Sequence, residues 1–285
     1  MMNTVGVIGG SGLYELPGLA DVESIRLSTP FGAPSDEFVC GTLGGVRMVF
    51  LPRHGRGHRI LPTDLNFRAN IYGMKQLGVE RLISVGAVGS LRAEIAPGHV
   101  VVPDQFIDRT SKRPSTFFGN GIVAHVMFAD PCCAVVMKAV TEAARAAGAG
   151  VHEGGTYLCM EGPQFSTRAE SEMYRHWGAS VIGMTNLQEA KLAREAEICF
   201  ATLALVTDYD CWNPHAADVA IEDILRVLNA NVALARRIVA DTASRLPASR
   251  TCPCASALAN AIITERSQIP PRVLDDLRVI VGKYL

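Results

Sequence analysis

No apolar run in this 285-residue chain is long enough to cross a bilayer, which sets aside a membrane-spanning helix. Charge of one sign is also missing. The 27 Lys and Arg balance 28 Asp and Glu to a formal net charge of -1, with no long block of either sign. A broad nucleic-acid surface or a polybasic membrane patch needs such a block. The opening residues Met1-Met2-Asn3-Thr4 carry no basic stretch followed by a signal-type apolar core, so export is not expected and the cytoplasm is the expected location. Internal repeats and low-complexity tracts are absent. Two nucleotide fingerprints fail as well. Gly9-Gly10-Ser11-Gly12 is glycine-rich, but a dinucleotide G-x-G-x-x-G beginning at Gly10 would need glycine where Glu15 stands. No Gly-Lys-Ser/Thr follows, so it is not a Walker loop, and a dehydrogenase is disfavoured.

Cysteine is present, but not in a metal-binding spacing. Of eight cysteines, Cys40, Cys159, Cys199 and Cys211 lie in or beside apolar stretches and read as buried thiols. Cys132-Cys133 opens a helical segment. Cys252-Pro253-Cys254 has no second pair at zinc-like spacing, so no metal site is expected. Two ordinary thiols are the expectation there, with a strained redox bridge as the alternative.

What is present is a steady alternation. Short strands are expected at 5–9, 46–51, 81–85, 100–102 and 181–184. Helices are expected at 65–77, 134–147, 187–196 and 220–246, with Gly148 and Leu246-Pro247 as stops. This predicts an α/β fold: one domain with a central mixed, largely parallel sheet flanked by helices. The domain spans 1–246, and 247–285 form a linker and helical tail on the same domain. At 30.6 kDa the chain can bury the core this requires.

The chemistry gathers at strand ends. The continuously apolar Phe200–Val206 stops at Thr207-Asp208-Tyr209-Asp210, so two carboxylates sit at the mouth of a doubly buried strand. In open α/β sheets ligands collect at that carboxyl end. Arg53-His54 ends another strand. It is a planar fork and an imidazole donor for phosphate, or else a structural ion pair. Gly9–Gly12 and Gly86-Ala87-Val88-Gly89-Ser90 allow close backbone approach to an anion, or are plain tight turns. Phe165 leaves the rigid Glu161-Gly-Pro163 turn, either to stack on a flat ligand or to join the core. Thr185 tips a further strand as a polar contact or a helix cap. Together they suit a ligand with a phosphate at one end and a heterocycle at the other.

These residues also carry a resemblance. Gly9-Gly-Ser-Gly12, Thr29–Asp36, Arg53-His-Gly-Arg56, Gly89-Ser-Leu-Arg92, Asp104–Thr110, Glu161-Gly-Pro-Gln-Phe-Ser166 and Thr207–Trp212 occur in this order from Val5 to about Leu246. The chain resembles the trimeric, purine-type nucleoside phosphorylases. The resemblance implies that inorganic phosphate attacks the anomeric carbon of methylthioadenosine, releasing adenine and 5-methylthioribose 1-phosphate. It implies a homotrimer and no cofactor, phosphate being a co-substrate. Ser11, Arg53, His54, Gly86, Ala87 and Thr185 would hold phosphate, and Met184 would lie on the ribose. Phe165 would pack by the base, and Asp208 and Asp210 would face the purine edge. Ser166, His125, Ile221 and Leu225 would set substrate specificity, the last three lining the 5'-methylthio pocket. Three departures stand out: Ser11 and Gly86 occupy positions of threonine in relatives, and Asn186-Leu-Gln188 replaces threonine-valine-proline.

Asp208, as the expected general acid, would protonate the purine at N7, its pKa raised by burial or by Asp210. Asp210 would accept from the 6-amino group. A broader purine nucleoside or methylthioinosine phosphorylase is the same-class alternative, and a silent purine-binding sensor the remote one.

Overall fold

The structure is a computed structural model. It describes every residue except 1, 2, 11, 14 and 215–220, and the side chains of 221–226, 228 and 229 also lie outside the description. Eleven strands among the described residues form one mixed sheet. They are β1 (Thr4–Gly9), β2 (Ala20–Ile25), β3 (Phe38–Leu43), β4 (Val46–Pro52), β5 (Arg81–Ser90), β6 (Val100–Val102), β7 (Gln105–Arg109), β8 (Val151–Glu153), β9 (Thr156–Met160), β10 (Val181–Gly183) and β11 (Cys199–Asp208). The helices are α1 (Phe67–Gln76), α2 (Ala134–Ala146), α3 (Arg168–His176), α4 (Asn186–Glu195), α5 (Ile221–Arg245), α6 (Pro271–Asp276) and α7 (Arg278–Val281).

The alternation of side chains along the central strands explains the layering. On β1, Val5 and Val7 face one way and Ile8 the other; on β4, Met48 and Phe50 oppose Val49 and Leu51. Ile8, Val49 and Leu51 join a core with Ile71 of α1, Ala190 and Leu192 of α4, and Val281 of α7. Val5, Val7, Met48 and Phe50 join a second with Val136 and Val140 of α2 and Ile238 and Val239 of α5. Helices therefore cover both faces, and the central strands β4, β1, β5 and β11 run parallel. No helix among the described residues is long and apolar enough to cross a membrane.

The expected strands and helices form within a few residues of their expected bounds, and β11 is buried along its length until Asp208. The sheet is larger than expected. β2 is exposed at five of its six residues and carries Asp21 and Glu23, the charged character of an edge strand, so apolar patterning does not reveal it. β5 runs on through Gly86–Ser90, expected as a loop, because β11 pairs with it up to Gly89.

The fold brings further cysteines to the one C-x-C pair. The Cys252-Pro253-Cys254 pair does not stand alone: Cys133, which caps the start of α2, and Cys199, which opens β11, lie beside it.

Residues beyond Leu246 contribute Leu258, Ile269, Leu277 and Ile280 to the core that holds α1 and α4. Glu197, between α4 and β11, anchors them. It is buried and has a left-handed φ of 56°. Its Oε1 accepts from the Leu258 amide at 3.0 Å and the Tyr284 hydroxyl at 2.6 Å, and its Oε2 meets Lys283 Nζ at 2.5 Å. Removing this carboxylate strands a buried amide and breaks an ion pair. Glu197→Ala should lower unfolding free energy by about 2–4 kcal/mol in urea titration. An unchanged midpoint would mean that the tail does not depend on this anchor.

Candidate active site

The site is built on a fork in β5. Along one edge β5 pairs with β11 from Arg81 to Gly89. Along the other it pairs with β1 from Arg81 to Ser84, and with β10 only at Gly89 and Ser90. Val85, Gly86, Ala87 and Val88 therefore have no strand partner on that edge among the described residues. Unpaired backbone inside a protein needs other partners. Here it lies beside the ends of β1, β4 and β10, where Gly9, Arg53 and Met184 leave their strands.

Arg53 occupies the gap. It is 3% exposed, and its Nη1 donates to the Val85 carbonyl at 2.8 Å. Its amide also donates to the Gly9 carbonyl at 2.8 Å, tying the glycine loop to the end of β4. The guanidinium makes a bidentate pair with Glu189 of α4, at 2.6 Å from Nε and 3.0 Å from Nη2. Burial works against its charge, but Glu189 outweighs burial and holds the pKa above the ordinary arginine value. The structural ion pair, one of the two expected readings, is thus present. Nη2 also donates to Ser84 Oγ at 2.7 Å, and a Cβ on Gly86 would sit 3.8 Å from Nη1, an ordinary contact distance.

Glu189 was not legible as a site residue. An acidic side chain in the first turn of a helix ordinarily complements the helix dipole at the surface. Here it is buried and accepts from Ser84 Oγ at 2.5 Å. Asn186 extends the network, donating to Ser84 Oγ at 2.8 Å and accepting from Thr202 at 2.5 Å. Gln188 donates to Thr110 at 2.7 Å and accepts from Arg113 at 3.2 Å. The Asn186-Leu-Gln188 departure is therefore a buried polar network with its hydrogen bonds made.

His54 follows Arg53 and is half-buried. Its Nδ1 lies 2.8 Å from the Ile60 carbonyl, and its ring stacks on His58 with centroids 4.3 Å apart. A carbonyl only accepts, so Nδ1 carries the proton and Nε2 of the neutral ring is an acceptor. Burial is the main cause of a pKa lowered to about 4, with Arg53 and His58 adding to it. Thr185 is buried at the N-cap of α4 without a side-chain capping bond. Ala87 is exposed and Gly86 half-buried in the gap. Ser11 lies outside the described residues.

Across β5 from this cradle stand the two acids. A register shift between Val206 and Asp208 breaks the regular ladder and reorients the end of β11. Asp208 Oδ2 accepts from Thr207 Oγ1 and Oδ1 from the Asp210 amide, both at 2.7 Å. Asp210 has a left-handed φ of 51° and accepts from Ser171 of α3. Burial raises its pKa, the Ser171 bond opposes this, and the charge of Asp208 adds to the rise. The raised pKa thus falls on Asp210. Gly89 explains how the acids fit: a Cβ there would sit 3.0 Å from Asp208 Oδ1 and 3.3 Å from Asp210 Cβ.

The remaining expected residues divide. Met184 packs on the turn at Gly162, where a Cβ would lie 2.6 Å from its sulfur. Arg113, which sequence reasoning missed, locks this arrangement. It pairs with Glu161 at 2.9 Å and donates to the carbonyls of Glu161 and Met184. Phe165 is 83% exposed, so it is not core. Ser166 gives its carbonyl to Cys211 at 3.3 Å, linking the Phe165 loop to the acids' loop. His125 is exposed, with its amide on the Ala261 carbonyl at 2.9 Å, and no described contact joins it to Arg53 or the acids. Ile221 and Leu225 lie on α5, but their side chains fall outside the described residues.

Two outcomes follow from this geometry. Arg53→Ala strands the buried Glu189, so it should destabilise the fold by about 3–5 kcal/mol in chemical denaturation, while Arg53→Met with Glu189→Leu should recover most of that. Equal losses in both variants would rule out an intact ion pair. His54 has a folded pKa near 4 against 6.5 unfolded, so its contribution is complete above pH 6.5 and drains as pH falls towards 4. Melting temperature should fall over that window less steeply in His54→Gln than in the parent, and parallel curves would contradict the assignment.

The chain matches the model of the phosphorylase superfamily over residues 4–244. It is 62% identical to the S-methyl-5'-thioadenosine phosphorylase of Geobacter sulfurreducens over 286 residues, covering all of both chains. It is 58% identical to that of Koribacter versatilis, covering all of this chain and 97% of the other. Among solved structures it is similar to a methylthioadenosine phosphorylase from an antarctic soil metagenomic library, with TM-score 0.94, 44% identity, and 98% and 99% of the two chains covered. A variant of the Schistosoma mansoni adenosine/methylthioadenosine phosphorylase, in complex with methylthioadenosine, is similar at TM-score 0.79 and 35% identity, with 85% of this chain and 91% of the other covered. The superfamily model matched over residues 4–244 and the 62% identity over the full length of both chains place the protein in the phosphorylase superfamily, among those related to S-methyl-5'-thioadenosine phosphorylases.

Proposed function

We propose that the protein catalyses phosphorolysis of S-methyl-5'-thioadenosine to adenine and S-methyl-5-thio-α-D-ribose 1-phosphate. The observation that carries this reading is the placement of two unlike subsites on one strand. Arg53 meets β5 at Val85 and Gly86, and the acids meet it at Gly89. Three residues of strand span roughly 10 Å, room for a phosphate, a ribose and the near edge of a purine in a row.

The chemistry follows from the charges. Breaking the bond from sugar to base leaves negative charge on the purine and positive charge on the sugar. Phosphate stabilises the sugar cation and captures it, so its position matters more than any activation. Arg53, held rigid by Glu189, and the Gly86-Ala87 backbone fix that position, with Ser11 and Thr185 completing the cradle. His54 Nε2, a lone pair, suits a phosphate that still carries a proton.

The imidazole edge of adenine presents an acceptor at N7 and a donor at the 6-amino group. One protonated and one ionised carboxyl complement this pattern. Burial and the neighbouring charge of Asp208 raise the pKa of Asp210. Asp208 delivers the proton to N7, and Asp210 accepts from the 6-amino group. Exposed Phe165 closes over the base, and Met184 supports the ribose. Ser166, Ile221, Leu225 and His125 set the preference at the 5' position. His125 would come to that pocket from a neighbouring subunit of a homotrimer, and the exposed Val123, Met127 and Ile263 near it would suit such an interface. No cofactor takes part, phosphate is the co-substrate, and the cytoplasm is the proposed location.

The decisive measurement is phosphate-dependent release of free base from methylthioadenosine, adenosine and methylthioinosine side by side. Asp208→Asn should lower turnover of the two aminopurines by about 10²–10⁴-fold and spare the 6-oxo substrate. Equal loss on all three would remove Asp208 from base selection. A larger loss in Asp210→Asn than in Asp208→Asn would move the proton to Asp210.

A further inference from the structure

Cys133, Cys199, Cys252 and Cys254 come from three separate parts of the chain. Cys133 is the N-cap of α2, Cys199 is the first residue of β11, and the other two flank Pro253 in the tail. Their four sulfurs all lie within 4.8 Å of one another, with Cys199 and Cys252 at 3.2 Å. Cys133, Cys199 and Cys254 are buried and Cys252 is half-buried, all among apolar neighbours of the α2–α5 core.

This geometry has a specific chemical meaning. A tetrahedral zinc site with metal–sulfur bonds of about 2.3 Å places its sulfurs at about 3.8 Å from one another. A disulfide joins two sulfurs at about 2.05 Å and gives no reason for the other two to converge. Here the convergence is fourfold and mutual. Thiolates so crowded repel unless a cation lies among them, and a soft, thiolate-preferring ion fits the donor set. The backbone supports negative charge at one ligand, because Cys133 sits at the positive end of the thirteen-residue helix α2. The Cys133 amide donates to the Phe200 carbonyl at 2.7 Å, holding the first ligand against the strand that carries the second.

We infer that these four cysteines form a structural tetrathiolate site for a divalent zinc ion. Four protein ligands leave no open position for substrate or water, so the ion acts on folding rather than on the reaction. Its place agrees with that. Cys199 begins β11 and Asp208 ends it, ten residues that separate the sulfurs from the acids by roughly 30 Å. The ion would staple the Cys252–Cys254 turn to α2 and to the sheet, fixing the start of a tail that Glu197 holds further on.

The test begins with the full-length protein purified under reducing conditions and freed of loosely held metal by dialysis. Elemental analysis should find about one zinc per chain, and titrating the thiols with an organomercurial should release it. Refolding with cobalt(II) alone should produce the thiolate charge-transfer absorption of a tetrahedral site. Cys252→Ser with Cys254→Ser should bring zinc to background and lower the melting temperature, while phosphorolysis at low temperature persists. Less than about a tenth of an ion per chain in the parent, with four titratable thiols or with disulfides among these cysteines, would overturn the inference. Zinc retained in the double variant would overturn it equally, since the ion would then lie elsewhere.

Discussion

A single buried ion pair organises this molecule. Arg53 follows β4 and Glu189 lies in the first turn of α4, and their bidentate contact lies beside a stretch of β5 that, among the described residues, lacks a strand neighbour on that side. An arginine buried without a carboxylate would carry an intolerable charge, and a carboxylate without the arginine equally so. The pair sits at the gap in β5 and draws on the polar faces of Ser84 and Asn186. The same pair gives the proposed phosphate ligand its rigidity, since a guanidinium gripped from behind cannot swing away from the anion in front of it.

The acids depend on a different device. Regular pairing of β11 with β5 would continue the alternation of side chains past Val206. The register shift interrupts it, and the left-handed turn at Asp210 brings the second carboxyl back towards the first. Gly89 makes room for both. Arrangements of this kind store strain where chemistry is done, while the doubly buried strand behind them supplies the stability to hold it.

Much of this was legible in the chain. The apolar run ending at Asp208 and the strand leading to Arg53 each name a strand end, and strand ends in α/β sheets share one side of the molecule. Other features were not. Glu189 reads as an ordinary acid in the first turn of a helix, and Arg113 as a charge in a loop, because burial is a property of neighbours rather than of the residue. The role of His54 turned on a carbonyl six residues away that selects its tautomer. The edge strand β2 carries too little apolar signal to be seen.

The cysteines draw the line most sharply. Spacing along the chain separates Cys133, Cys199 and the Cys252–Cys254 pair by dozens of residues, and metal motifs are recognised by short spacings. Composition, periodicity and motif order by themselves determined the α/β class, the central strands, the helices around them and the phosphorylase resemblance, since those depend on local pattern. The tertiary structure alone decided which carboxylate meets Arg53, which hydroxyls hold the two acids and which four sulfurs converge. Those depend on contacts between distant segments, whose approach is governed by sheet register and helix packing rather than by any local signal.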